Sequence, residues 1–378
     1  MNDKKVIALV AGGTGGHLFP AEALSVELRQ RGYDVHLMTD ERARPFVRCF
    51  DEEHIHIVSS ATFTRRHPFA LIKTFWSLLR GMGQSLALFY KLRPVLVGGF
   101  GGYPSFPPLF IASLTRRVTF IHEQNAVMGR ANRVLAIFVR AIAGGLLSPN
   151  GAYAHKILLT GNPVREAVLK AAKIPYHPST GEEPFHFLIF GGSQGASAFS
   201  HIVPEAIALF DDKNRKRLRI VQQVRGEAEG LIKIYRDMGV QAEVAPFFDD
   251  MAERMAHAHF ILSRAGASSV CEIAVIGRPA LLVPYPHALD HDQAANAALL
   301  ARVGGAQIVS EKDLNAQKLF SLLMHACCAP HLLEKQALSA KKVGQPHATR
   351  CLADMAESLI AGRLLSDIKE ELFDENAT

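Results

Sequence analysis

The sequence predicts an α/β protein built as two doubly wound domains, and three observations carry that prediction. Residues 5–11 (KVIALVA) form an apolar, β-branched run that ends in glycines, leads into helical spacing in AEALSVELRQRGY and then into a second strand, DVHLMT. The same strand, glycine, helix order returns in PFHFLIFGGSQGASAFSHIVPEAIALF, about half the chain further on. With 378 residues, 48% hydrophobic and 21% charged, the chain is long enough for two buried cores and too apolar for extensive disorder.

Between the two starts, GNPVREAVLKAAKIPYHPSTGEEP contains Pro163, Pro175, Pro178 and Pro184, and reads as a connection rather than a core element. Alternating signals continue in FILSRAGASSVCEIAVIG and PALLVPYP, as a second open parallel sheet requires. The expected units are residues 1–163 and 164–345, followed by residues 346–378 as a helix packing back toward the first unit plus an acidic tail. For RLLSDIKEELFDENAT a frayed tail is preferred over an amphipathic helix through Leu364, Leu365, Ile368 and Leu372.

Five cysteines (Cys49, Cys271, Cys327, Cys328, Cys351) show no CxxC or zinc spacing, and MNDKKV is too short and charged for a secretory leader, so a reducing compartment fits. The uncharged stretch from Pro94 to Thr115 carries four glycines and four prolines, which argues against a membrane span. The formal charge of +6 is uneven: residues 1–165 hold 20 Lys+Arg against 10 Asp+Glu, and Glu123 is the only acid between Glu53 and Glu166. An anionic partner is expected on that side.

Glycines between a strand and a helix allow close backbone approach, and the helix N-terminus favours negative charge, so a phosphate is the default guest. The alternative is a tight turn. Three such loops, at residues 12–16, 98–102 and 191–195, favour a phosphate-bearing ligand. A nicotinamide site is disfavoured because Leu18 stands where G-x-G-x-x-G needs glycine, and no loop carries Gly-Lys-Ser/Thr. Asp40 reads as a solvated strand end. His122-Glu123-Gln124-Asn125-Ala126 lacks the second histidine of a zinc protease, and Asp290-His291-Asp292 is a chance-prone spacing. No metal and no other cofactor is expected.

Seven motifs occur together and in order: GGTGGHLFPAEAL, GGFGGYPSFPP, HEQNAVMGRANR, GNPVR, GGSQGA, SRAGASSVCE and PYPHALDHDQAANA. In this the chain closely resembles the bacterial transferases that add N-acetylglucosamine to lipid I to make lipid II for peptidoglycan. The likeness spans residues 5–361 and implies a glycosyltransferase B fold, with an N-terminal acceptor-binding, membrane-associating domain and a C-terminal UDP-sugar-binding domain. It implies inverting transfer from UDP-N-acetylglucosamine to the 4-hydroxyl of the muramoyl residue of undecaprenyl-diphosphoryl-muramoyl-pentapeptide. By the same resemblance, Thr14, Gly15 and Gly16 border the phosphates and Asn125 touches the transferred sugar. Arg165 and Ser193 meet the donor diphosphate, and the segment Ala267, Ser268, Ser269, Val270, Cys271, Glu272 cradles the nucleotide with its acid on the ribose. Gln293 and Asn296 hold sugar hydroxyls and Phe248 lies on the uracil side, while for Val270 and Cys271 backbone contact or core packing is the readier role. Pro104 and Asp292 depart from the family's pattern.

Inverting transfer needs a base for the attacking hydroxyl. His17 is the candidate, because the positive end of a helix favours an uncharged ring able to accept a proton. A phosphate-donor role for His17, with Glu123 as the base, is the alternative. The acceptor's prenyl chain stays in a bilayer, and residues 65–93 mix aromatics with Arg65, Arg66, Lys73 and Arg80, so peripheral attachment to anionic lipid at the cytoplasmic face of the cell membrane is expected. Cell-wall synthesis proteins are the expected protein partners. The rivals are another lipid-acceptor glycosyltransferase such as a diacylglycerol glycosyltransferase, a UDP-sugar epimerase of related fold, and a basic nucleic-acid-binding protein; the last lacks a reading module and leaves the glycine loops unexplained, so no nucleic acid is expected.

Overall fold

The computed structural model describes residues 4–12, 15–47, 49–60, 68–191, 197–226 and 228–377. Its first elements are β1 (Val6–Val10), α1 (Gly15–Gln30), β2 (Asp34–Thr39), β3 (Ile55–Ile57), α2 (Pro68–Leu92), β4 (Leu96–Gly99), α3 (Phe106–Leu114), β5 (Val118–Glu123), α4 (Arg130–Leu135), β6 (Ala141–Gly144) and β7 (Ile157–Leu159). Next come α5 (Glu166–Ala171), β8 (Phe185–Phe190), α6 (Ser197–Ala208), α7 (Asp212–Arg217), β9 (Leu218–Gln223), α8 (Ala228–Asp237), β10 (Gln241–Ala245), α9 (Met251–His257), β11 (Phe260–Ser263) and α10 (Ala267–Ile276). The chain ends with β12 (Ala280–Leu282), α11 (Asp292–Arg302), β13 (Ala306–Ile308), α12 (Ala316–Cys328), α13 (Pro330–Lys342), α14 (Ala348–Ile360) and α15 (Leu365–Ala377).

Two compact units divide the chain, Met1–Arg165 with Pro346–Thr378, and Glu166–Gln345. The first holds a parallel sheet in the order β3-β2-β1-β4-β5-β6-β7, the second one in the order β10-β9-β8-β11-β12-β13. Strand order reverses beside β1 and beside β8. There successive connections leave the carboxyl ends toward opposite faces of the sheet and open a crevice for a ligand.

A parallel strand covered on both faces must be apolar throughout, and Ile7, Ala8, Leu9 and Val10 are at most 1% exposed. Ile7 and Leu9 join Leu18, Leu24 and Leu28 of α1 and Leu352, Met355 and Leu359 of α14. Ala8 and Val10 join Phe89 of α2, Leu109 of α3 and Leu135 of α4. Burying each such leucine or isoleucine contributes roughly 1.5–3 kcal/mol. Helix α14 is pinned further by Arg31, whose guanidinium lies 2.5 Å from Asp354 and 2.6 Å from Glu357.

Four sequence readings are corrected. Residues 365–377 form helix α15 rather than a frayed tail, because Ile368 is 1% exposed in the core and Lys369 Nζ donates to Ala154 O at 2.8 Å. The proline-rich connection includes α5, with Val168 buried. Asp40 is buried rather than solvated, accepting from Ala43 N at 3.1 Å and Arg42 Nε at 2.7 Å. Gly98 and Gly99 lie within β4, where a Cβ would come within 2.4 Å of the Phe120 ring and 2.9 Å of Leu109; close packing, not a phosphate, demands them. Gly12 answers Pro104 in the same way, since a Cβ there would stand 2.6 Å from the proline ring.

In the second unit Arg278 is 1% exposed and donates to Ile174 O, Ala256 O, Ile276 O and Gly277 O at 2.9–3.0 Å, a cation placed where α5, α9 and α10 end. Burial lowers its pKa to about 10, with Tyr176 acting the other way. Nearby, His259 Nδ1 accepts the backbone N–H of His186 at 2.8 Å, which requires an uncharged ring. Burial, reinforced by His186, pushes its pKa down to about 4. Unfolding restores about 6.5, so between these values the unfolded chain binds a proton that the folded chain refuses. The ring's contribution to stability is complete above about pH 6.5 and is lost as pH falls toward 4. His259→Asn keeps an acceptor for the His186 N–H but cannot titrate; urea-unfolding midpoints measured across that window should fall less steeply with acid in the variant than in the parent.

Candidate functional site

In the first unit the loops after β1, β4 and β5 leave the sheet side by side, because Val10 pairs with Gly99 and Gly99 with Ile121. Helix α1 opens at Gly15, so Gly15, Gly16 and His17 occupy its first turn, whose N–H groups have no partner within the helix. Thr14 lies outside the described residues. Gly101, at φ +94°, lets the β4 loop pass beside the His17 ring: a Cβ there would stand 3.2 Å from both Cε1 and Nδ1.

His17 Nδ1 lies 3.2 Å from Gln124 Oε1. Gln124 is 2% exposed, donates through Nε2 to Phe100 O at 2.9 Å, and has the same nitrogen 3.0 Å from His122 Nδ1. The other ring nitrogen of His122 lies 3.0 Å from Gly161 O. His122 is fully buried, and this pushes its pKa down to about 4 against the opposing hydrogen bond to Gly161. Asn162 donates to Gln124 O at 2.9 Å, so the GNPVR segment is bonded to the HEQN segment at two points.

Glu123 is 2% exposed and its carboxylate accepts from Asn125 N (3.1 Å), Asn125 Nδ2 (3.2 Å), Gly129 N (2.9 Å) and Asn132 Nδ2 (2.8 Å). These bonds tie down the turn that carries Asn125 and engage both carboxylate oxygens. The Arg165 guanidinium stacks over Phe19 of α1, 5.3 Å from the ring centroid.

In the second unit Phe190 pairs with Ser263, so the loops after β8 and β11 emerge together. Ser193 lies outside the described residues. Gly266 caps α10 in an extended conformation with no side-chain cap, leaving the first N–H groups of Ala267, Ser268 and Ser269 to be met by water or an anion. Ser268 and Ser269 are half-buried, whereas Val270, Cys271 and Glu272 are buried.

Asn296, Gln293 and Phe248 all make contacts within the second unit. Asn296 has no exposed surface and donates to Ala265 O at 3.1 Å, which holds the loop before α10. Gln293 Oε1 accepts from Ala265 N at 3.2 Å and Tyr285 N at 2.9 Å, bracing the same loop. The Phe248 ring is buried beneath Arg254, 4.2 Å away, and it is the neighbouring Phe247 that is exposed. Asp290 and His291 adopt φ values of 54° and 57°, left-handed conformations that cost energy for residues other than glycine.

Sequence reasoning missed His122, Gln124, Asn132 and Arg264. Arg264 is 4% exposed, ion-paired to Glu311, stacked on Phe199 and Tyr285, and donates to Val283 O at 3.2 Å. Its place between a strand end and an uncapped helix was the available signal. For metals, Asp34, His36 and His54 are the one such cluster among the described residues; it lies at the amino end of β2, and the two rings approach the carboxylate at 3.2 and 3.1 Å.

Helix α2 turns Thr74, Gly81, Ser85 and Phe89 inward and leaves Ile72, Phe75, Trp76 and Leu79 exposed at 55, 59, 65 and 41%. No helix among the described residues is long and apolar enough to cross a membrane. Arg65 and Arg66 lie outside those residues.

Residues 7–144 match the glycosyltransferase family 28 N-terminal domain, and residues 186–349 match its C-terminal domain. Over its whole length the chain is 89% identical to the whole of the "UDP-N-acetylglucosamine--N-acetylmuramyl-(pentapeptide) pyrophosphoryl-undecaprenol N-acetylglucosamine transferase" of Bartonella tribocorum. It is 57% identical over 367 residues to the protein of the same name from Brucella suis, covering 97% of each chain. The crystal structure of Acinetobacter baumannii MurG has the same fold, with a TM-score of 0.76 at 28% identity over 94% of this chain and 99% of that one. This chain belongs to glycosyltransferase family 28, in the branch that these transferases represent.

Proposed function

We infer that the protein transfers N-acetylglucosamine, with inversion, from UDP-N-acetylglucosamine to the 4-hydroxyl of the muramoyl residue of N-acetylmuramyl-(pentapeptide) pyrophosphoryl-undecaprenol, converting lipid I to lipid II. The observation that carries this reading is full-length identity of 89% to a transferase of that name. The decisive experiment incubates the purified protein with labelled UDP-N-acetylglucosamine and a lipid I analogue. Labelled disaccharide-lipid is the expected product; a C2-epimerised donor formed without any acceptor would replace this reading with an epimerase.

In this reading the second unit takes the donor. The uncapped start of α10 and the 191–195 loop with Ser193 meet the diphosphate and Glu272 accepts from the ribose, while Arg165, the last residue of the first unit before the insertion, adds a cation. Preorganised N–H donors and a cation are effective there because negative charge grows on the departing diphosphate, and each is worth a few kcal/mol in the transition state. Ser268 and Ser269 add hydroxyls at the same helix start, Gln293 and Asn296 serve the sugar hydroxyls while bracing the loop, and Phe248 lies on the uracil side. In the first unit Gly15 and Gly16 offer backbone N–H groups to phosphate, and Asn125, held by Glu123, is aimed at the sugar.

His17 is the base in this scheme: it removes the proton from the attacking hydroxyl as the glycosidic bond to UDP breaks. With the Glu123 carboxylate already spanned by four N–H donors, His17 is the better acceptor. His17→Ala should lower kcat by roughly 10²-fold or more while leaving UDP affinity by calorimetry nearly unchanged. A loss that appears as weakened diphosphate binding instead would make His17 a phosphate donor.

The acceptor's lipid tail requires a membrane surface, and the exposed Ile72, Phe75, Trp76 and Leu79 on α2 are suited to the headgroup level. Arg80, on the same helix and exposed, supplies charge for anionic lipid at the cytoplasmic face of the membrane. Replacing Phe75 and Trp76 together with serine should weaken sedimentation with anionic vesicles while transfer to a short-chain soluble acceptor stays near the parental rate. Equal loss in both assays would place these residues in the fold or the active site.

A further inference from the structure

The bonds around Gln124 leave little freedom in where protons sit. Gly161 O can only accept, so the His122 nitrogen 3.0 Å away, Nε2, carries a hydrogen. The pKa of His122, down at about 4, keeps that ring neutral near pH 7, and its Nδ1 is therefore a bare acceptor. Phe100 O likewise only accepts, which orients the Gln124 carboxamide with its nitrogen toward Phe100 and His122, at 2.9 and 3.0 Å. Two independent carbonyls thus demand the same orientation. The carboxamide oxygen is then the atom left facing His17 Nδ1 at 3.2 Å.

We propose that His122 and Gln124 are positioning residues that hold His17 in the tautomer protonated on Nδ1, so that Nε2 presents the lone pair for the acceptor hydroxyl. The proposal rests on the reading of His17 as the base. An imidazole side chain free in water favours the other tautomer, with the hydrogen on Nε2 and no lone pair there. The line Gly161, His122, Gln124, His17 reverses that preference with neutral groups alone, and no carboxylate lies in it. When His17 takes the hydroxyl proton on Nε2, the Nδ1–H bond to Gln124 persists and the ring keeps its place.

The test uses full-length protein labelled with 15N-histidine, with His17 assigned by the signal lost in His17→Gln. Two-bond 1H–15N correlation spectra at mildly alkaline pH should show His17 protonated on Nδ1 and bare on Nε2. Gln124→Met replaces the carboxamide oxygen with at most a weak thioether acceptor, and should shift His17 toward the Nε2–H form and lower kcat about tenfold with KM values little changed. Gln124→Glu retains an oxygen facing His17 and should retain the Nδ1–H form. A parental spectrum showing Nε2–H overturns the proposal, as does a Gln124→Met protein whose His17 spectrum and kcat match the parent. If that variant does not fold, the parental spectrum still decides the tautomer. Failure of the base reading is recognised separately: His17→Ala would then keep kcat, whatever the tautomer.

Discussion

A buried polar group must find its partners inside the protein, and at the carboxyl edge of the first sheet that requirement governs everything else. The carboxamide of Gln124, the carboxylate of Glu123 and the imidazole of His122 are nearly or wholly inaccessible to water. An unmet donor or acceptor at such depth costs about 1–3 kcal/mol, so each loop that supplies a partner is held where it is needed. Phe100 and Gly161 contribute carbonyls, Asn132 a side-chain amide and Gly129 a backbone N–H. The glycines are part of the same arrangement. Without bare backbone at Gly12 and Gly101 the β1 and β4 loops could not close on Pro104 and on the His17 ring.

The second unit solves a similar problem with different groups. Ala265 is held through both its N–H, by Gln293, and its carbonyl, by Asn296. Arg264, one residue earlier, is clamped by an ion pair, two aromatic faces and a carbonyl. The loop that starts α10 is therefore braced by its own neighbours, which would keep small the entropy lost if the proposed phosphate binds there.

The fold was legible because strands buried on both faces must be written as continuous apolar runs, and KVIALVA and FHFLIF are such runs. The location of the loops was legible for the same reason, since the carboxyl ends of those strands are where glycines cluster. The individual roles were less so. That Glu123 is a loop anchor depends on Gly129 and Asn132 coming within bonding distance, and that Asn296 faces Ala265 depends on a contact across 31 residues. Neither is written in local spacing. Charged residues dominate the composition of the tail, whereas its order depends on a few inward contacts: Ile368 and Leu365 on the core, and Lys369 on the Ala154 carbonyl. Gly98 and Gly99 looked like a ligand loop because glycine reports backbone freedom without saying whether a ligand or a neighbouring ring demands it.

The chain leaves the first unit at Arg165 and re-enters it at Pro346, so the second unit is an insertion within the first. Synthesis proceeds from the amino terminus, and the ribosome therefore releases every residue of the inserted unit before it releases α14. Until then the apolar side of α1 that Leu352, Met355 and Leu359 later cover has no lid, and Arg31 has neither Asp354 nor Glu357. The order of completion is consequently the reverse of the order in which the units begin: the inserted unit can finish while the enclosing one is still open. A nascent chain stalled before residue 348 would expose that face, making it a natural point of engagement for a chaperone that binds apolar helix surfaces.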